Sequence, residues 1–476
     1  MISEKQNAAL AEGIIQIPRP PKGSLGLKEL YALSIGQVIG AGVITLVGPA
    51  LGMTGYSAWF GYLMAIALGF LVILPVVLIT GTLRISGGYY SLIAATTNKQ
   101  IAGMYAAAQL PSMISLSLFG VSLGVYINSV FPGVSPLLCG ITLLTFFYVV
   151  NLLGIDFMAS AQKIMTWILM AVLLLFIVAG LSKMRNPIFD FRGPLFMTNG
   201  LSGLVSSMFL YVYSTTGYSL TMNYGFQAKN ATRDIPRAIL LSVPTILILY
   251  VGVAMAGSCV LPLAEVAGKP LTLVAKETLA GPLFAVFIIG GPVMALTTTM
   301  NSSMPSQCMP VQRSCEDGWL PRSLASLNGR GAPWKILTLN YTLGLIPMLL
   351  GFNVNTIINN IMLLASIRTF LQIFVYYKIP KKYPEAWEKS TMHIPTGLYY
   401  LSCTLALIAQ VFIFIYSIRS LTPMIVTISL SATGVCILYG LIRAQSPDIQ
   451  IRAGVWPGSD EDDPQAEKIS AENPAA

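Results

Sequence analysis

The first apolar stretch of the chain, SIGQVIGAGVITLVGPALGMTG, carries Gly36, Gly40 and Gly42 near its centre and Gly48-Pro49 shortly beyond. Each internal glycine costs a helix about 1 kcal/mol relative to alanine, so this run is expected to open. Inside hydrocarbon, an opened backbone survives only where protein or a water-filled cavity receives its polar groups. Broken half-helices then offer free N–H groups to anions and free carbonyls to cations. The segment points to a pore or a carrier and away from a simple anchor.

The rest of the chain is equally apolar. Of 476 residues, 55% are hydrophobic and 10% charged, against about 25% charged in a soluble domain. The expected fold is an all-α membrane protein. At about 20 apolar residues per span, roughly twelve transmembrane helices fit, near 31–52, 57–81, 101–130, 136–154, 162–182, 199–226, 238–262, 281–309, 336–352, 355–377, 396–417 and 422–442. Residues 1–28 are polar, include Arg19, Pro20, Pro21 and Lys22, and lack the features of a secretory signal. They are expected to form a cytoplasmic tail.

Lys and Arg set the orientation. With a cytoplasmic N-terminus, only Lys183, Arg185, Arg192, Lys269, Lys276 and Arg419 fall outside. Clusters such as Lys229-Arg233-Arg237 and Lys378-Lys381-Lys382-Lys389 fall inside. Both termini are therefore expected in the cytoplasm, with the lipid bilayer of the cell membrane as surroundings. The net charge of +9 follows from this topology, and no nucleic-acid partner is indicated. The six cysteines form no CxxC pair, so neither a metal centre nor a disulfide framework is expected. The closing stretch GSDEDDPQAEKISAENPAA is acidic, and the tail 444–476 is read as cytoplasmic and disordered.

A second interruption lies in the sixth span, where Tyr213-Ser214-Thr215-Thr216-Gly217-Tyr218 sits midway through an apolar segment. Ser and Thr compete for backbone hydrogen bonds, and Gly217 loosens the helix further. Interruptions in the first and sixth spans occupy matching places in two halves of five. This pattern points to two inverted five-helix repeats with a binding site near the membrane midplane. The repeats are read as 29–182 and 183–378, with two peripheral helices over 379–443. Close packing at small residues is the competing explanation for each break alone.

Three stretches carry a family resemblance. IGQVIGAGVITLVGPAL is similar to a first-span motif G-x-x-[IV]-G-[SA]-G-[IV]. YSTTGYSLTMNYGFQAKNATRDIPRAI runs into an N-x-x-x-x-I-P-R-A-I signature at Asn230–Ile239. MNSSMPSQCMPVQRSCEDGWLPRSLASLNGRGAPW ends in Asp317-Gly318-Trp319-Leu320-Pro321 and Gly331-Ala332-Pro333. Together they resemble the amino acid–polyamine–organocation transporters, which share the leucine-transporter-like fold. The resemblance implies an amino-acid substrate, with its carboxylate on the N–H groups of Ala41, Gly42 and Val43. Its ammonium would meet the carbonyls of Ile39, Tyr213, Ser214 and Thr216. Gln37, Tyr218 and Asn301 would complete a polar wall, although for Asn301 a helix–helix hydrogen bond competes.

Proton-coupled members of this family carry a fifth-span Lys. Here Gly154, Gln162 and Thr166 fit its frame, but the Lys position holds Leu169. A second, acidic position in the sixth span holds Ser219. A sodium ion is the alternative that the resemblance implies, through an eighth-span A-x-x-[ST]-[ST] matched by Ala295 to Thr299. The metal ligands would be the carbonyls of Gly36, Ile39 and Ala295 with the hydroxyls of Thr298 and Thr299. No other cofactor is implied.

The one deep charge is Arg368, read either as a pathway residue or as a side chain that snorkels to carbonyls. With no carboxylate expected in the pocket and no Arg assigned to it, a neutral substrate is favoured, because an unpaired buried charge is costly. Tyr213, Tyr218, Met222 and Met300 are expected beside it.

The function expected is secondary active transport of amino acids by alternating access, with sodium as the candidate coupling ion. An amino-acid exchanger or an amine or polyamine carrier is the alternative within the same family. A membrane enzyme would need a His, Asp or metal cluster, and the single histidine, His393, lies in a loop. An ion channel or a transporter-like sensor stands as a further class. The sequence does not set an oligomeric state.

Overall fold

The computed structural model describes residues 14–16, 18–40, 42–131, 133–352, 354–419, 421 and 423–458. Helices dominate, and the breaks fall where glycine and proline place them. The first helix, α1 (Leu27–Val38), ends at Ile39 and restarts as α2 (Gly42–Thr45) and α3 (Val47–Thr54). Leu46 N donates to Gly42 O at 3.1 Å and Ala50 N to Leu46 O at 3.0 Å, so α2 and α3 form one interrupted run. The interruption follows from Pro49, which has no N–H for the carbonyl four residues earlier.

Next comes α4 (Ala58–Thr82), followed by α5 (Gly88–Thr96) and α6 (Lys99–Ala108). The side chain of Asn98 caps α6, accepting from Ile101 N at 3.0 Å. Pro111 then forces a 3₁₀ stretch over Leu110–Ser115 before α7 (Leu116–Val130). This third interruption was not expected from the sequence. Two uninterrupted helices follow, α8 (Pro136–Leu152) and α9 (Ile155–Ser182).

The second half opens with α10 (Gly200–Val212), which passes into a 3₁₀ turn at Tyr213–Thr215 and, beyond Gly217, a six-residue 3₁₀ stretch at Tyr218–Asn223 before α11 (Ala231–Cys259). A short helix at Pro282–Ile288 and a π-helical turn at Ile289–Val293 lead into α12 (Met294–Glu316). The closing helices are α13 (Trp334–Leu349), α14 (Val354–Tyr376), α15 (Thr396–Arg419) and α16 (Pro423–Arg443). In the assembly, α1 packs against α9, α11 and α12, while α4 packs along α10, α11 and α15. The first break therefore sits at the centre of the bundle.

Among the described residues, six helical stretches are long and apolar enough to cross a membrane. They are Gly42–Thr82, Lys99–Asn128, Ile155–Ser182, Ala231–Cys259, Pro282–Glu316 and Thr396–Arg419. By contrast, α1 with 12 residues and α10 with 13 fall short because their spans are divided. The outer surface carries large apolar side chains, among them Ile164, Val178, Ile248 and Ile408, each more than 60% exposed. A multi-pass all-α membrane protein accounts for both features.

The expectation of a disordered tail is corrected over residues 444–458. There β3 (Ile451–Ala453) pairs in parallel with β1 (Ile14–Gln16), and β4 (Val455–Pro457) pairs antiparallel with β2 (Leu83–Ile85). The acidic composition belongs to the residues beyond 458, which lie outside the described ones. The segment before them supplies Ile449, Ile451, Val455 and Trp456, all buried. Arg452 N donates to Asp317 Oδ1 at 3.1 Å and Gln450 N to Asp317 O at 3.1 Å. The fully buried Asp317 carboxylate also accepts from the Tyr90 hydroxyl at 2.6 Å and faces Arg313 at 3.7 Å.

Candidate functional site

The two breaks touch. A Cβ added at Gly42 would lie 2.2 Å from Ser214 Cβ, so only glycine admits this approach. Gly217 has φ +122°, and a Cβ there would lie 2.6 Å from Gln37 O. Each break thus uses a glycine to let the other close on it.

Hydroxyl groups from neighbouring helices hold the opened carbonyls. Tyr250, on α11, donates to Val38 O at 2.8 Å and is 3.1 Å from Ser214 O, so one hydroxyl bridges both breaks. Tyr62, on α4, donates to Gly42 O at 3.0 Å and stacks on Tyr211. Thr299, on α12, has its Oγ1 2.9 Å from Ile39 O. Buried carbonyls need such partners; Gly42 O also accepts from Leu46 N and Val38 O from Gly40 N, whereas Ile39 O and Ser214 O each keep a second lone pair.

A cavity of about 330 Å³ opens beside the breaks. Gln37, Gly42, Tyr213, Ser214, Thr216, Tyr218 and Thr299, all sequence-predicted site residues, line it. Gln37 Nε2 and the Tyr218 hydroxyl are buried without a hydrogen-bond partner. Unsatisfied polar atoms on a cavity wall mark a surface built to receive a polar ligand. Ile39 and Val43 are fully buried and are not among the residues lining the cavity. Ala41 lies outside the described residues.

Asn301 is corrected. Its Nδ2 donates to Gln162 Oε1 at 2.9 Å and to Met158 O at 3.2 Å, both on α9, and it does not reach the cavity. It ties α12 to α9, the helix–helix role that competed for it. Met222 and Met300 are likewise buried away from the cavity wall.

Of the residues expected as metal ligands, Thr299 lines the cavity and Ile39, Ala295 and Thr298 are fully buried. Thr298 Oγ1 donates to Ala295 O at 3.0 Å, and Thr299 Oγ1 stands 2.9 Å from both Ala295 O and Ile39 O. Gly36 faces Gln162, whose Nε2 would lie 1.8 Å from a Cβ added there, and Thr298 O would lie at 3.4 Å. Leu169 is fully buried. The Thr299 hydroxyl thus joins the first break to α12, while the Thr298 hydroxyl bonds within its own helix.

Further lining residues were not named from the sequence. Gln109, Ser112, Ser115, Gln307 and Gln372 bring amide and hydroxyl groups to the far part of the cavity. Their signal was a polar residue in an apolar span, which does not say which way it faces. Arg368 also lines the cavity. A cation therefore stands on the wall, so an anionic side chain would not be left unpaired there. No Asp or Glu is among the lining residues, so a cationic side chain would find no partner there.

Comparison with known proteins agrees with this architecture. The amino acid permease family matches residues 25–441. The branched-chain amino acid permease BcaP of Bacillus subtilis is 24% identical over 413 residues, covering 80% of this chain and 87% of that one. The D-serine/D-alanine/glycine transporter of Escherichia coli is 21% identical over 415 residues, covering 82% and 86%. The amino-acid permease AapA of Bacillus subtilis is 23% identical over 377 residues, covering 75% and 79%. These relatives are transporters and not enzymes. With a match across nearly its whole helical bundle, the chain belongs to the amino acid permease family.

Proposed function

We propose that this permease is a secondary transporter that carries amino acids across the cytoplasmic membrane by alternating access. The observation that carries the reading is the contact of two broken helices on one cavity, with Gln37 Nε2 and the Tyr218 hydroxyl left unpartnered. The substrate carboxylate meets the N–H groups at Gly42 and Val43, where the restarting helix is electropositive. The ammonium meets the carbonyls of Ile39, Tyr213, Ser214 and Thr216. Relatives named for branched-chain amino acids and for D-serine, D-alanine and glycine support an amino-acid substrate. Cationic side chains and polyamines are disfavoured, because no carboxylate lines the cavity.

Sodium is the proposed coupling ion, on the approach of the Thr299 hydroxyl to both Ile39 O and Ala295 O. The side with the Lys and Arg clusters is proposed as cytoplasmic. Pairing of β1 with β3 supports one common side for both ends of the chain.

Thermal-shift measurements on the purified protein test the reading. Twenty amino acids and putrescine are compared, each in sodium and in choline. A ligand at 100 times its Kd stabilises by about 2.7 kcal/mol. Amino acids are expected to raise the Tm, more so in sodium, and putrescine to leave it unchanged. A shift with putrescine alone would overturn the substrate class.

A further inference from the structure

We propose that Arg368 forms an anion subsite of the transport cavity, and that the permease takes amino acids with a carboxylate side chain. This rests on the amino-acid reading of the same cavity. Arg368 projects from α14 onto the cavity wall. Its Nη1 donates to Ser112 Oγ at 2.6 Å, while its Nε is buried with no hydrogen-bond partner. Among the described residues it forms no ion pair, and no Asp or Glu lines the cavity to balance it.

A guanidinium cannot shed its proton to escape this burial. Its charge calls for an anion, and Arg368 lines the cavity. The neighbours suit a carboxylate. Ser112 steadies one guanidinium nitrogen, and Gln372 donates to the Tyr105 hydroxyl at 2.7 Å, leaving that phenolic proton free to point to an acceptor. Tyr105 and Gln372 line the same cavity.

The subsite is separate from the breaks. Phe119 lies beside Gly40, with its Cε1 3.7 Å from where a Cβ would be, while Ser112 holds Arg368 on the same stretch of chain. Seven residues at 1.5–2.0 Å rise place these levels roughly 10–14 Å apart. The guanidinium rests on Ser112, at the far level, and covers part of that distance by swinging off Ser112 toward the breaks when substrate binds. An α-carboxylate on the Gly42 N–H groups and a side-chain carboxylate on Arg368 then engage opposite ends of one substrate.

The test is uptake of radiolabelled L-glutamate and L-glutamine into proteoliposomes of the full chain, for wild type, Arg368→Gln and Arg368→Lys. The glutamate-to-glutamine ratio within one vesicle batch cancels differences in insertion. Wild type is expected to favour glutamate. Arg368→Gln is expected to lower the ratio about tenfold or more, and Arg368→Lys to retain a preference for glutamate. An unchanged ratio in Arg368→Gln, an equal loss of both substrates, or chloride-dependent uptake of glutamine alone would each overturn the subsite. If no amino acid enters with any variant, the transport reading itself fails.

Discussion

Gly42 and Ser214 show what a single residue decides here. The glycine cluster announces a break and its place in the chain pairs it with the sixth-span break, but the contact of Gly42 with Ser214 itself is not legible, because nothing local ties residue 42 to residue 214. The same limit explains Asn301: a polar residue in an apolar span signals a need for a partner and not its direction. Asn301→Ala is expected to lower the Tm, since Gln162 Oε1 loses its donor at about 1–3 kcal/mol, with amino-acid affinity unchanged. A matching loss of affinity would return Asn301 to the site. Tyr250 was invisible for the opposite reason, as an aromatic in an apolar helix reads as core. Its hydroxyl bridges Val38 O and Ser214 O. Tyr250→Phe is therefore expected to weaken amino-acid binding about tenfold, or about 1.4 kcal/mol, measured by thermal shift at graded ligand concentrations.

At the scale of elements, breaks in the first and sixth spans were legible because glycine, proline and hydroxyl residues mark them chemically. The interruption at Leu110–Ser115 was missed although Pro111 marks it, since the flanking apolar run is long enough to hide one proline. Thr299 links α12 to the end of α1. Thr299→Val is expected to abolish any difference between uptake in sodium and in choline. Wild-type uptake that is equal in both salts would remove sodium from the account.

The C-terminal strands depend on Asp317, whose carboxyl burial raises to about 6 from 3.8, against the lowering effect of Arg313 and the Tyr90 hydroxyl. The folded chain then holds this proton more tightly than the unfolded chain. Stability from this group falls as pH rises between about 4 and 6 and levels off above. A Tm that declines over this window in wild type, and declines less in Asp317→Asn, is the expected result.

For the whole molecule, composition and apolar period gave helix positions closely, because each span must satisfy its own backbone in hydrocarbon. What they could not give is which helices surround the break. Packing of α1 among α9, α11 and α12 joins distant parts of the chain. The strand pairings of the two termini are non-local in the same way, and an acidic stretch beyond residue 458 masked the apolar residues before it.

The central claim is that both breaks together form the amino-acid site, and counterflow tests it most directly. Proteoliposomes preloaded with an unlabelled amino-acid mixture are diluted into labelled amino acid, with wild type and Gly42→Ala compared at equal insertion. The added Cβ would stand 2.2 Å from Ser214 Cβ and force the breaks apart. Wild type is expected to accumulate label and Gly42→Ala to lose that accumulation. Accumulation by Gly42→Ala equal to wild type would contradict a site built at the contact of the two breaks.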